Sequence, residues 1–244
     1  MTAIAVGSVR SGGATTLAMT LAGVLDDAVL VEADADGGVL ALRYGLTREP
    51  GLVSLAASRQ QPGDVILDHA QRLPGGMAVV VGPESPERAS QLLRSASQRI
   101  AGLLAGASSI DLVFDLGRLS PSSPGTVLAA GAQVALVVAR PRAEELVAAA
   151  ERVAALGEGA GLVLIGSGPY SAAEVTNQLG CRVVGTIADD PRGARALAEG
   201  GSARTLARSG LVRSVRTLAA SLLHGSDPTA EASAGTLDRA GLPA

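Results

Sequence analysis

The chain has 244 residues and a formal net charge of −3, so its overall charge gives no argument for binding nucleic acid. Its one cysteine, Cys181, excludes an internal disulfide and a metal site built from several cysteines, and it favours a reducing compartment. The N-terminus lacks the pattern of a secretory signal, and no apolar run approaches the roughly 20 residues that span a bilayer. We therefore expect a cytoplasmic protein.

An apolar segment at residues 2–7 is followed by a turn of small residues and then by a helical pattern. The turn and the start of the helix consist of Arg10, Ser11, Gly12, Gly13, Ala14, Thr15 and Thr16. This order is typical of phosphate-binding loops, in which backbone N–H groups hold an anion. A plain strand-to-helix turn is the alternative, because the chain contains no lysine and every basic residue is arginine.

Carboxylates lie at or just beyond the ends of two other apolar segments. Asp34 follows the segment 28–32, and Asp115 ends the segment 110–115. The carboxyl ends of parallel strands meet at the edge of the sheet where ligands bind, so we expect both carboxylates near the loop. Alternatively, Asp34 and Asp36 form a solvated turn and Asp115 caps a helix.

Further apolar segments at 77–82, 133–139, 161–166 and 182–187 alternate with helical patterns. Several of them are continuous runs, which indicates strands that are buried on both faces. We predict a three-layer α/β fold with a mostly parallel central sheet of about seven strands. The domain is predicted to span residues 1–224, and the polar, aperiodic segment 225–244 is predicted to be a flexible tail.

Three helix starts can be predicted from local signals. Pro141 suits the first turn of a helix. Ser171 and Glu174 have the spacing of a capping box. Asp190–Pro191 is an N-cap followed by proline, and Gly200–Gly201 is expected to end that helix.

The last part of the predicted domain is rich in arginine. Between residues 191 and 224, one acid, Glu199, accompanies six arginines, so the local charge is six minus one, or +5. These arginines are Arg192, Arg195, Arg204, Arg208, Arg213 and Arg216. They could contact DNA phosphates or an anionic membrane surface. The alternative is a solvated helix face whose apolar stripe packs on the sheet. The stripe has no aromatic anchor, which favours DNA or a protein partner over lipid.

Together these segments resemble the MinD/ParA family of deviant-Walker P-loop ATPases, whose loop reads Lys-Gly-Gly-x-Gly-Lys-Thr. On that pattern Arg10 falls on the signature lysine, Ser11 and Gly12 on the first two glycines, Gly13 on the variable position, Ala14 on the third glycine, Thr15 on the phosphate lysine and Thr16 on the Mg²⁺-binding threonine. The resemblance implies that Asp34 is the catalytic carboxylate near the attacking water, with Glu32 in place of its companion, and that Asp115 is the metal-side carboxylate. Gly166-Ser167-Gly168 stands where the family usually has a base-contacting asparagine.

The resemblance implies ATP and Mg²⁺ as ligands, a nucleotide-dependent homodimer and a protein partner. Because the phosphate lysine is missing, we expect hydrolysis to be absent or very slow. One function is a weak or non-hydrolysing scaffold, like the degraded relatives CpaE and TadZ, that positions a cellular machine at the membrane or the nucleoid. The alternative is a slow ATPase in chromosome partitioning or division-site selection, with Arg10 performing part of the lysine's role.

Overall fold

The structure is a computed structural model that describes residues 2–10, 12–59, 65–105 and 110–224, and these residues form an α/β fold around one eight-stranded sheet. The strands are β1 (Ala3–Ser8), β2 (Val29–Glu32), β3 (Gln71–Arg72), β4 (Ala78–Val80), β5 (Leu112–Arg118), β6 (Val134–Ala139), β7 (Ala160–Ile165) and β8 (Val183–Ile187). The helices are α1 (Ala14–Val24), α2 (Leu40–Tyr44), α3 (Leu52–Ala57), α4 (Val65–Asp68), α5 (Pro86–Ala105), α6 (Thr126–Gly131), α7 (Ala143–Leu156), α8 (Ala172–Leu179), α9 (Pro191–Ala198), α10 (Ala203–Ala207) and α11 (Gly210–His224).

The strand order is β3-β4-β2-β5-β1-β6-β7-β8, and all neighbouring pairs are parallel except β3 and β4. After β1 the chain crosses to β2 on one side, whereas β6, β7 and β8 lie on the other side. The carboxyl end of β1 is therefore the point where the order of the strands reverses, which is where ligands bind in open α/β sheets.

Helices cover both faces of the sheet, and each face has its own apolar core. On one face, buried residues of α1, α2 and α11 pack on the sheet, including Leu17, Leu40 and Val215. On the other face, α3, α5, α6, α7 and α8 provide the core, including Leu93 and Leu146. Strands such as β1 and β7 are buried along their full length, which explains their continuous apolar sequences.

The structure confirms the predicted α/β fold class and all seven predicted strands. It adds one edge strand, β3, which has only two residues and pairs antiparallel with β4. Its sequence, Gln71-Arg72, carries no apolar run, so periodicity gives no signal for it.

Two of the three predicted helix starts are confirmed. In the Ser171 capping box the Ser171 N–H donates to Glu174 Oε2 at 2.7 Å. Asp190 accepts the Gly193 N–H at 2.8 Å, and α9 ends before Gly200–Gly201 as predicted. The Pro141 start is wrong, because the backbone is still extended at the next residue and α7 begins two residues after the proline, at Ala143.

The predicted tail, residues 225–244, lies outside the described residues, so the domain boundary near residue 224 stays a prediction. Within the part of the chain that the structure describes, no helix is both long and apolar enough to cross a membrane.

Candidate phosphate-binding site

The loop between β1 and α1 lies at the centre of the carboxyl edge of the sheet. Gly12 is buried there, and a Cβ at this position would make ordinary van der Waals contacts, at 3.5 Å with Ser8 Cβ and at 3.6 Å with the Val138 carbonyl oxygen. Gly13 precedes α1 with φ 84°, a left-handed conformation that favours glycine. Among the described residues no side chain caps the start of this helix, so the N–H groups of its first turn and the positive end of its dipole are available for an anion.

The side chains of the loop provide little positive charge. Arg10 is exposed and is the one cation among the described loop residues, while Ser11 lies outside the described residues. Ala14 is buried, and Thr15 and Thr16 are half-buried. The site therefore depends on backbone groups to a greater degree than a loop with a lysine does.

Thr15 connects the loop to the neighbouring strand β5. Its hydroxyl lies close enough to the Asp115 carboxylate to lower the pKa of that group, and Asp115 Oδ1 accepts the Gly117 N–H at 3.1 Å. Thr16 is the residue predicted to provide the metal-side hydroxyl, whereas the hydroxyl that lowers the pKa of Asp115 is that of Thr15. The reason is that Gly13 ends the loop and α1 begins at Ala14, one residue earlier than the motif alignment implied.

Asp115 is buried in the middle of β5, which continues to Arg118, and 1% of its surface is exposed. Burial raises the pKa of Asp115 to about 7, against the opposing hydrogen bonds from Thr15 and the Gly117 N–H. The nearby charges of Asp34 and Glu32 raise this pKa further. The site thus has a strong local preference for a proton or a cation at this position.

Asp34 lies beside Asp115 at the end of β2, as predicted. Its Oδ1 accepts the Asp36 N–H at 2.8 Å, and burial is the main cause that raises its pKa. The Asp34 carboxyl lies directly over Gly117, which has φ 55°, and a Cβ on Gly117 would come within 2.0 Å of that carboxyl. Glycine is therefore required there by backbone conformation and by space.

Glu32 has a structural role that the sequence did not indicate. Its buried carboxylate accepts three backbone N–H bonds, from Val39 at 2.6 Å, Leu40 at 2.9 Å and Gly82 at 2.9 Å. Burial raises its pKa, while these three hydrogen bonds oppose the shift. Glu32 thus joins the start of α2 to the end of β4, and its oxygens are already occupied by the protein backbone.

The other side of the loop, at the ends of β7 and β8, is closely filled. A Cβ on Gly166, which has φ 71°, would lie 2.9 Å from Asp189 Cβ, and a Cβ on Gly168 would lie 2.6 Å from the Pro141 carbonyl oxygen. Arg140 and Asp189 form a bidentate ion pair at 2.6 and 3.2 Å. An asparagine at Gly166 or Gly168 would therefore need the neighbouring segments to move.

A divalent cation would find a sparse set of ligands at this edge. Among the described residues, no group of three or more His, Cys, Asp or Glu side chains is arranged to hold a metal. Mg²⁺ in nucleotide sites usually takes one or two protein ligands and completes its shell with phosphate oxygens and water. The adjacent Thr15 hydroxyl and Asp115 carboxylate fit that requirement.

The predicted arginine-rich region forms α9, α10 and α11. Its six arginines are all exposed, whereas the apolar stripe of α11 faces the core. Leu211, Val215 and Leu218 are buried, and Leu222 is partly buried against the same cluster. The stripe is therefore occupied by packing on the domain, as the alternative interpretation expected, and the arginines are among the side chains left for solvent or a partner.

The fold and this loop define an α/β domain of the P-loop type, and more closely the fold of the MinD and ParA ATPases. A ParA family ATPase from Chlorobium tepidum TLS superposes with a TM-score of 0.72 and 16% identity, covering 91% of this chain and 98% of that one. MinD in the MinC:MinD complex of Aquifex aeolicus gives 0.69 and 13%, covering 93% and 98%. MinD of Pyrococcus horikoshii with Mg-ADP gives 0.65 and 16%, covering 96% and 100%. No family model and no curated protein matches the chain.

Proposed function

We propose that the protein is a MinD/ParA-like nucleotide-binding protein with a degraded Walker A loop. It acts as a weak or non-hydrolysing scaffold that positions a cellular machine, in the manner of CpaE and TadZ. The position of the Thr15 side chain beside Asp115 carries the proposal, because it supports a register in which Ala14 stands at the position of the phosphate lysine.

The register follows from the order of parts in a P-loop. There a glycine precedes the lysine, and the next residue is a Ser or Thr whose hydroxyl lies on the metal side. Gly13, Ala14 and Thr15 follow this order, with Gly13 left-handed and Thr15 on the Asp115 carboxylate. On this assignment the metal-side residue is Thr15 instead of Thr16. The lysine position is occupied by Ala14, whose side chain is a methyl group.

Phosphate binding would then rest on backbone N–H groups, the dipole of α1 and the exposed Arg10. These groups bind anions without a lysine, and arginine suits bidentate contact with phosphate. Loss of a donor at the transferring phosphoryl group lowers the rate of hydrolysis by about 10²–10³. We therefore expect nucleotide binding to be retained to a greater degree than hydrolysis. Thr15 and Asp115 would hold Mg²⁺, and Asp34 would orient water near the terminal phosphate.

The solved structures with this fold support the choice of ligand and partner. MinD of P. horikoshii is complexed with Mg-ADP, and MinD of A. aeolicus is in complex with MinC. By analogy with these proteins we propose a nucleotide-dependent homodimer and a protein partner for this chain.

A slow ATPase in chromosome partitioning or division-site selection is the second candidate. It is favoured by the retained pair of carboxylates, because Asp34 and Asp115 both lie at the loop and both accept backbone hydrogen bonds. In this role the exposed arginines of α9–α11 would contact DNA phosphates. Insertion into a membrane is disfavoured, since the apolar stripe of α11 is packed on the domain.

Calorimetry with ATP and Mg²⁺, followed by a phosphate-release assay, separates the two candidates. The scaffold is expected to bind ATP weakly and to release no phosphate above background. The Arg10→Ala variant should weaken binding by about 1–3 kcal/mol, the range for losing a charge-assisted hydrogen bond. Turnover at the rate of ordinary ATPases would overturn the scaffold, and no effect of Arg10→Ala on detectable binding would contradict the role of Arg10.

A further inference from the structure

Arg118 is the last residue of β5 and lies beside the start of the phosphate loop. In the pairing of β1 with β5 the partner of its Cα is the Cα of Ser8, and the Leu119 N–H donates to the Ser8 carbonyl oxygen at 2.8 Å. Because neighbouring strands lie about 4.8 Å apart, the Arg118 backbone is one strand spacing from the residue that leads into the loop.

Ser8 also connects the backbone of two segments that each carry an arginine. It is buried, with 4% of its surface exposed. Its hydroxyl donates to the Arg10 carbonyl oxygen at 2.5 Å and lies 3.5 Å from the carbonyl oxygen of Gly117, the residue before Arg118. The backbone positions of Arg10 and Arg118 are therefore held close to the same buried side chain.

The Arg118 side chain extends toward the carboxylates that follow β2. Its Nε lies 3.8 Å from Asp36 Oδ2, and both side chains are more than half exposed. Burial is the main cause that raises the pKa of Asp34, and the positive charge of Arg118 opposes that rise, so the guanidinium is also near Asp34. Arg118 thus lies on the side of the loop where the terminal phosphate is proposed to bind.

The contact with Asp36 leaves most of the Arg118 guanidinium free. It is a single, long and exposed ion pair, and such pairs add little to stability. Its side chain donates no hydrogen bond within the part of the chain that the structure describes, so its N–H groups are available to a ligand. The planar fork of a guanidinium suits two oxygens of one phosphate.

An anion at this edge also needs more positive charge than the loop provides. Three carboxylates, those of Asp34, Asp36 and Asp115, lie beside the site, whereas Arg10 is the one cation among the described loop residues. We propose that Arg118 is a second phosphate-binding arginine, which contacts the terminal phosphate of a bound nucleotide from β5. The proposal rests on the nucleotide site proposed above and adds to it a positive charge that the lysine-free loop lacks.

Calorimetry with the full chain, ATP and Mg²⁺ tests this contact. Arg118→Gln should weaken ATP binding about tenfold or more, as expected for losing hydrogen bonds to a charged group. Arg118→Lys keeps the charge without the fork of donors, so its affinity should be intermediate. The control is Arg99→Gln, an exposed arginine of α5 on the opposite face of the sheet from α1, which should bind ATP like the natural chain.

Melting without ligand checks that the variants are folded. Arg118→Gln should melt at the same temperature as the natural chain, because the exposed pair with Asp36 adds little to stability. A loss of ATP binding at an unchanged melting temperature therefore reports on the ligand contact.

Asp36→Asn separates a phosphate contact from a purely structural ion pair. The variant keeps the backbone N–H that donates to Asp34 Oδ1. If Arg118 binds phosphate, Asp36→Asn removes a competing carboxylate and should tighten ATP binding severalfold. If Arg118 only holds Asp36 in place, Asp36→Asn should weaken ATP binding as Arg118→Gln does, and that result overturns the proposal.

Inorganic tripolyphosphate distinguishes a failure of this proposal from a failure of the proposed function. If the chain binds ATP and Arg118→Gln leaves the affinity unchanged, the role of Arg118 is wrong and the nucleotide site stands. If the chain binds tripolyphosphate more tightly than Arg118→Gln does but binds no ATP, the role of Arg118 stands and the nucleotide function is wrong. Binding of neither probe by the natural chain overturns both.

Discussion

The two halves of the carboxyl edge of the sheet differ in the chemical groups that form them. The loop half, from β1 to α1, is made of backbone: a left-handed Gly13, a buried Gly12 and an uncapped helix start. The acidic half, in β5 and just after β2, is formed by carboxylates whose charges raise the pKa of Asp115 and which accept backbone N–H bonds. The loop half has no lysine and depends on the conformation of its backbone, whereas the acidic half contains two carboxylates. The shape of an anion site needs only glycines and a helix, but its catalytic charge needs particular side chains.

The largest expected effect concerns the acidic half and its fit around Gly117. Gly117→Ala should lower the free energy of unfolding by about 3 kcal/mol or more, since the new Cβ meets the Asp34 carboxyl at a positive φ. Chemical denaturation measures this loss. The control is Gly102→Ala in α5, where no atom lies within 4 Å of the new Cβ and alanine should stabilise by about 0.5–1 kcal/mol. Equal behaviour of the two variants would contradict the close packing of Asp34 on Gly117.

The next effect is a pH dependence from Asp115. Its ordinary pKa is 3.8 and its folded pKa is about 7, so between these values the folded state holds a proton that the unfolded state has lost. The free energy of unfolding therefore falls as the pH rises from about 4 to about 7, by at most about 4 kcal/mol, and is level above that range. Below pH 4 this penalty is absent.

Asp115→Asn should remove this slope, because asparagine keeps an oxygen for the Thr15 hydroxyl and the Gly117 N–H without the charge. Denaturant titrations in a chelating buffer at pH 5 and pH 8 compare the variant with the natural chain, with the exposed Asp26→Asn as control. If the difference in the free energy of unfolding between the Asp115→Asn variant and the natural chain is the same at both pH values, the burial of a charged group at this position is wrong.

The loop half can be tested by restoring its charge. Ala14→Lys should tighten ATP binding by about 1.5–3 kcal/mol, the range for a hydrogen bond to a charged group. Thr15→Lys should not tighten ATP binding, since it removes the Thr15 hydroxyl that lies near the Asp115 carboxylate. Calorimetry compares the two variants, and melting without nucleotide checks that each is folded, because Ala14 is buried. If Thr15→Lys alone tightened ATP binding, the alignment that places the lysine position at Thr15 would be right and the one that places it at Ala14 would be wrong.

The smallest expected effect is the preference among bases. Gly166 and Gly168 offer no side chain, and their surroundings are filled by Asp189 and Pro141. ATP, GTP and CTP should therefore bind within about 0.5 kcal/mol of one another, a difference smaller than one hydrogen bond. A competition titration measures this, and a tenfold preference for ATP would show that another group reads the base.

Much of the fold follows from short stretches of sequence. Continuous apolar runs located seven strands, and the sequences at Ser171 and Asp190 located two helix starts, because burial on both faces and capping depend on residues close in the chain. The antiparallel pairing of β3 with β4 was missed, since β3 is an edge strand of two polar residues whose position depends on pairing with β4. The late start of α7 after Pro141 was likewise missed, because an extended Arg142 delays the helix.

The sequence by itself determined the class of fold, the place of the loop and the two carboxylates Asp34 and Asp115, because these depend on strand order and strand ends. Only the tertiary structure decided that Thr15 contacts Asp115 and that Glu32 is held by amides from two distant segments. The same is true of Arg118, which strand pairing places beside Ser8 at the start of the loop. Such contacts depend on how separate segments pack against one another, and changes of a few tenths of an ångström matter. Local sequence patterns do not predict these distances.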